Sequence, residues 1–294
     1  MTRNHLLTAK VWQHPTVRQL RHRLSLKRLL RQLTASQRRM PDYVIVGAQK
    51  SGTTSLWCYL NEHPRVEPAL VKEMHYFDNN FHRGEAWYRM HFPLREERLG
   101  DDAERTLTGE SSPYYMFHPL AAKRLAASVP RVKLIFLLRN PVDRAFSHYQ
   151  FKLRRRQEVL SFEEAIAAEE GRLQGEEERL VDEPGYFSTA HDWFSYLARG
   201  RYLEQLVRWE SLFRSDQILI LDSESLFRRP EETYLQVLEF LGLENWRPEQ
   251  FGNRFPGKYR ERMCDATRQR LVEYFAPYNR QLYQHLNREF SWDR

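Results

Sequence analysis

The chain has 294 residues, 41% of them hydrophobic, with a net charge of +7 and two cysteines. That length can bury a sizeable core as one large domain, and Cys58 with Cys264 is too little for a disulfide scaffold or a cysteine metal site, which suits a reducing compartment. No run of 18 apolar residues is present and the N-terminus lacks the apolar core of a secretory signal, so a cytoplasmic protein without a transmembrane segment is expected.

Residues 1–40 carry ten Lys and Arg and no Asp or Glu, so the remainder nets to −3 (7 − 10). The basic excess belongs to a leader and says little about the body, read as a single domain over 41–294. Val17, Leu20, Leu24, Leu26, Leu29, Leu30 and Leu33 give the leader the pattern of a basic amphipathic helix. Such a helix can lie on an anionic membrane or pack on a partner or on its own domain. Taken alone it would support a non-catalytic protein that binds nucleic acid or membrane.

In chain order, Tyr43 to Val46 is an apolar run fit for a strand buried on both faces. Gly47 ends it, and from Thr53 the residues Leu56, Trp57 and Leu60 recur at helical spacing. The loop between, Ala48 to Gly52, would aim backbone N–H groups and a helix N-terminus at one anion. Gly47 and Gly52 match the glycines of the triphosphate motif G-x-x-x-x-G-K-[ST], yet Thr53 stands where that motif needs lysine. Lys50, two residues before Gly52, would meet the anion from another side, which weakens an ATP-dependent kinase reading. A Gly-rich turn with a solvated lysine is the plain alternative.

Further strands are expected at Val132 to Leu138 and Ile218 to Leu221, with helices near 118–128, 142–156, 162–180, 196–213, 231–241 and 265–286. Strands alternating with helices predict an α/β fold of three layers, a central parallel sheet with helices on both faces. The charged stretch 152–195 reads as a solvated helical region or an acceptor-facing element.

Ligands of such sheets bind at the strand carboxyl ends. That rule gathers Lys50 to Thr54, Glu73 to Asp78 if a short strand precedes it, Glu110 to Pro113, and Arg139 with Ser147 two helical turns on. Glu73 and His75 would share one side of an extended backbone, as deprotonation of a hydroxyl requires. A surface Glu beside a hydrogen-bonded His is the competing reading. The histidines lack metal-ligand spacing, so no metal is expected.

Together GAQKSGTTS (47–55), KEMHYFD (72–78), GESSPYY (109–115), LLRNPVDRAFSHY (137–149) and FPGKYRERM (255–263) resemble the sulfotransferases that use 3'-phosphoadenosine 5'-phosphosulfate (PAPS), most of all the heparan-sulfate branch. The resemblance runs from about Pro41 to Trp292 and implies the sulfotransferase variant of the P-loop NTPase-like fold. It implies that Lys50, Ser51, Gly52, Thr53, Thr54 and Ser55 hold the 5'-phosphosulfate, Arg139 and Ser147 the 3'-phosphate, and Gly257 with Lys258 a covering loop. It gives Glu73 the role of general base for in-line transfer to a hydroxyl, less readily an amine, of a saccharide or small metabolite, with His75, Asp78 and Ser112 in support. Sulfuryl transfer is mostly positioning and charge stabilisation, for which a lone Lys50 without metal suffices.

The chain departs from that branch at Glu110-Ser111-Ser112-Pro113, where Glu-Lys-Thr-Pro is usual, and so lacks a second catalytic lysine. The branch's late disulfide loop and membrane anchor are also missing. These differences point to a soluble bacterial relative and leave the acceptor open.

Overall fold

The computed structural model describes residues 26–95, 106–252 and 262–292, so Gly257 and Lys258 lie outside the described residues. Four strands, β1 (Tyr43–Gly47), β2 (Gly109–Ser111), β3 (Lys133–Leu138) and β4 (Ile218–Asp222), form an all-parallel sheet in the order β2-β1-β3-β4. The longer helices are α1 (Leu26–Leu33), α2 (Thr53–Glu62), α3 (Ala121–Ser128), α4 (Pro141–Arg154), α5 (Tyr202–Glu210), α6 (Pro230–Leu241) and α7 (Asp265–Leu286).

Side chains alternate across the strands and build two apolar layers. Val44, Val46, Leu134, Phe136 and Leu138 face Leu125 of α3 with Tyr202, Leu206 and Trp209 of α5. Tyr43, Ile45, Ile135 and Leu137 face Leu56 and Leu60 of α2 with Val237 and Leu238 of α6. Helices thus cover both faces, which explains why β1 and β3 carry almost no polar residue. Each fully buried Leu or Ile here contributes about 1.5–3 kcal/mol. A third cluster joins Val142 and Phe146 of α4 to Phe162, Leu271 and Phe275.

From β1 the chain crosses to β2 on one side, and from β2 it returns to β3 on the other. The carboxyl ends of β1 and β3 therefore border the crevice where such sheets bind ligands.

The structure corrects several expectations. The helix expected over 162–180 is three short ones, Phe162–Ala167, Glu169–Leu173 and Glu176–Asp182. The breaks follow from Glu169, which turns inward to accept the N–H groups of Leu197 (2.6 Å) and Ala198 (2.8 Å), and from Gly175 at φ 74°. The helix expected over 196–213 contracts to α5, after a 3₁₀ turn at Ala198–Gly200. The short strand expected directly before Glu73 is absent from residues 63–72. Both Glu73 (φ 58°) and His75 (φ 51°) are left-handed rather than extended.

Of the leader, α1 is described. It meets the body through Arg31, which donates to the carbonyls of Met90 and Phe92 (both 2.6 Å), and just beyond it Arg38 donates to Phe92 (2.9 Å). Leu29, Leu30 and Leu33 are exposed. Among the described residues no helix is long and apolar enough to cross a membrane.

Candidate active site

β1 ends against Met116, and a Cβ on Gly47 would lie 2.5 Å from that side chain's own Cβ, so only glycine fits. The loop then turns through two left-handed residues, Lys50 (φ 72°) and Gly52 (φ 92°), the latter capping α2. At Gly52 a side chain would be strained in φ and would press on Phe227 and Leu226 at 3.0 and 3.1 Å. The turn leaves the first N–H groups of α2, at Thr53, Thr54 and Ser55, free for an anion.

Three contacts hold this loop. Arg139, at the end of β3, donates from Nη1 to the Lys50 carbonyl (2.9 Å). Ser223, after β4, donates to the Ser51 carbonyl. Arg199 donates to Gln49 Oε1 (2.7 Å) while its other nitrogens hold Ser195 Oγ and the carbonyls of His191 and Asp192. The sequence reading missed Arg199 and Ser223; neither lies in a recognisable motif.

Asn140 caps α4, accepting from Val142 N–H (3.0 Å), so Ser147 comes two turns into the helix and is buried there. The guanidinium of Arg139 sits 5.6 Å from the Phe227 ring. Phe227 in turn lines a cavity with Ser55, Tyr59, Leu226, Pro230 and Phe251.

Glu73 and His75 stand on the turn that follows Leu70. Glu73, its side chain 46% exposed, pairs with Lys72 through Oε1. Burial pushes its carboxyl up, but Lys72 and His75 outweigh this and hold it below the usual carboxylate range. His75 Nδ1 lies 2.7 Å from Oδ2 of the buried Asp78. Burial opposes the imidazolium, yet Asp78 and Glu73 raise it to about 9. At neutral pH the site thus holds a carboxylate beside an imidazolium. Their fixed left-handed geometry, rather than strand alternation, brings them together.

The Lys50 ammonium lies 4.6 Å from the Phe151 ring. Burial, then Arg154 and Arg139, lowers it to about 8, and Glu73 is near enough to pull it back up. A second lysine, Lys152, was not singled out in the sequence. It is buried on α4 with its ammonium 4.7 Å from the Trp193 ring and is lowered by that burial to about 7. Ser112 is buried beneath the Glu73 turn and accepts the His75 N–H (3.3 Å).

The carboxyl-end crevice of a parallel sheet, with a glycine-shaped loop ahead of a helix N-terminus and a strand-end arginine, is the kind of place where α/β proteins bind anionic ligands. The sulfotransferase domain family matches residues 40–253. The chain belongs to that family, whose membership implies PAPS as sulfuryl donor.

It is 31% identical over 285 residues to mouse heparan sulfate glucosamine 3-O-sulfotransferase 6, covering 87% of this chain and 75% of the relative. It is 28% identical over 319 residues to the membrane-associated sulfotransferase kil1 of Dictyostelium discoideum, covering 86% of this chain and 66% of the relative. A crystal structure of a sulfotransferase from Alicyclobacillus acidocaldarius superposes with a TM-score of 0.64 at 31% identity, over 87% of this chain and all of that one.

Proposed function

We propose that this protein moves a sulfuryl group from PAPS to a saccharide hydroxyl, with Glu73 as general base. The observation that carries this reading is the Arg139 bond to the Lys50 carbonyl, which joins the two strand ends into one cationic crevice next to Glu73.

The residues fit the donor. Ser51 Oγ and Arg139 Nε are buried without a protein partner among the described residues. Lys50, Ser51, Gly52, Thr53, Thr54 and Ser55 would hold the 5'-phosphosulfate, Arg139 and Ser147 the 3'-phosphate, and the cavity beside Phe227 the base. When bound, PAPS supplies the sulfuryl group and a phosphate leaving group.

The chain's own residues do the rest. Glu73 takes the acceptor proton at Oε2, the oxygen not engaged by Lys72. His75, an imidazolium below about pH 9, balances the charge of that carboxylate. Lys50 supplies positive charge where the leaving phosphate oxygen develops negative charge.

The saccharide reading draws on the acceptor named for the 3-O-sulfotransferase relative. It also draws on the ring faces of Phe151 and Trp193, which carry Arg155 at 4.4 Å and Lys152 at 4.7 Å. Rings with adjacent cations suit a sugar that bears acidic groups.

Isothermal titration in a chelating buffer tests the donor assignment. 3',5'-Adenosine bisphosphate should bind with a Kd of about 1–10 μM, or roughly −7 to −8 kcal/mol. In a parallel titration with Mg²⁺ and no chelator, binding of Mg-ATP together with no binding of the bisphosphate would overturn it.

A further inference from the structure

Glu110 lies in β2 and is wholly buried. Three hydroxyls donate to it: Tyr88 (2.5 Å) and Tyr115 (3.1 Å) to Oε1, and Ser112 (2.7 Å) to Oε2. Burying a carboxyl is expensive, and an apolar side chain would fill the same space at less cost.

A hydroxyl has one proton. Once Ser112 and Tyr115 commit theirs to Glu110, their oxygens are fixed as acceptors. Both then accept from consecutive backbone N–H groups of the Glu73 turn, Ser112 from His75 (3.3 Å) and Tyr115 from Tyr76 (2.8 Å). Glu73 N–H itself bonds the Ser111 carbonyl (3.0 Å). Glu73 and His75 occupy left-handed backbone that non-glycine residues adopt only under constraint. These N–H bonds supply the constraint.

We infer that Glu110 is a positioning residue: by orienting the Ser112 and Tyr115 hydroxyls it holds the turn that presents Glu73 and His75 to the acceptor. The inference rests on the sulfuryl-transfer reading for its effect on turnover, but not for its effect on the turn.

Glu110→Gln is the test. The amide keeps the shape but offers one acceptor oxygen and two donor hydrogens, so at least one hydroxyl must reverse. The His75 imidazole, titrated by NMR in the protein without nucleotide, should fall from about 9 by at least ~1 unit toward its ordinary ~6.5, because its register with Asp78 loosens. Turnover should drop at least ~10-fold, whereas affinity for 3',5'-adenosine bisphosphate stays within about twofold. Adding Ser112→Ala to Glu110→Gln should cost little more than either change alone, as expected of links in one chain.

An unmoved His75 titration, fully additive losses, or a parallel collapse of bisphosphate affinity would each overturn the inference. If Glu110→Gln does not fold, Ser112→Ala carries the same prediction for His75. If the wild-type protein transfers no sulfuryl group, the sulfuryl-transfer reading fails and the NMR titration alone decides the role of Glu110.

Discussion

Glu73→Gln lowers turnover by about 10²–10⁴-fold, the range a positioned general base contributes, and leaves the Kd for 3',5'-adenosine bisphosphate within about twofold. The amide matches the carboxylate in shape but cannot take a proton, so the substitution isolates proton transfer from packing. Donor affinity is spared because the nucleotide's proposed contacts come from the loop after β1 and from α4, not from the Glu73 turn.

The pH profile sharpens the assignment. Glu73 must be ionised, and Lys72 holds it below the usual carboxylate range, so the acid limb of kcat/KM lies below where a free glutamate titrates and is absent in the variant. Lys50 must be charged, and its lowered value places the alkaline limb near pH 8. Lys50→Arg should carry that limb upward, since guanidinium keeps its charge. Turnover that survived Glu73→Gln and rose as His75 lost its proton would instead make neutral His75 the base.

Arg139→Ala weakens 3',5'-adenosine bisphosphate by about 10–100-fold, or roughly 1.4–2.7 kcal/mol, as expected for loss of a charge-assisted contact to a phosphate. Adenosine 5'-phosphate, which lacks the 3' group, should lose far less. The comparison matters because Arg139 also donates to the Lys50 carbonyl, and a slackened loop would weaken both nucleotides alike. Calorimetry on the pair separates the two effects. Equal affinity of variant and wild type for the bisphosphate would remove Arg139 from the 3'-phosphate assignment.

Much of the frame is legible in the sequence for physical reasons. β1 and β3 are uninterrupted apolar runs because both faces are covered, and such runs stand out against a charged chain. α7 spans the 265–286 expected from its periodicity, because one apolar stripe packs on the body while the rest meets water. The loop after β1 shows itself through Gly47 and Gly52, which the structure requires for close approach and for positive φ.

What the sequence conceals is conformation imposed from a distance. β2 is three residues long and carries a glutamate, so nothing local marks it as a strand. Glu73 and His75 were expected on extended backbone; their left-handed turn depends on Ser111, Ser112 and Tyr115, more than thirty residues on. The break between 167 and 169 answers to Glu169 bonding residues almost thirty positions away. Arg199 reaches Gln49 across 150 residues. Contacts of that span leave no periodic trace.

The central claim is that a sulfuryl group passes from PAPS to a hydroxyl at Glu73. The most direct test gives the protein PAPS labelled with ³⁵S and a panel of glucosamine-bearing saccharides in chelating buffer, then asks where the label goes. Label in a saccharide ester with wild type and its absence with Glu73→Gln is the predicted result. Label that stays on the nucleotide or leaves only as free sulfate across the panel, or that reaches saccharide equally well with Glu73→Gln, would contradict the account.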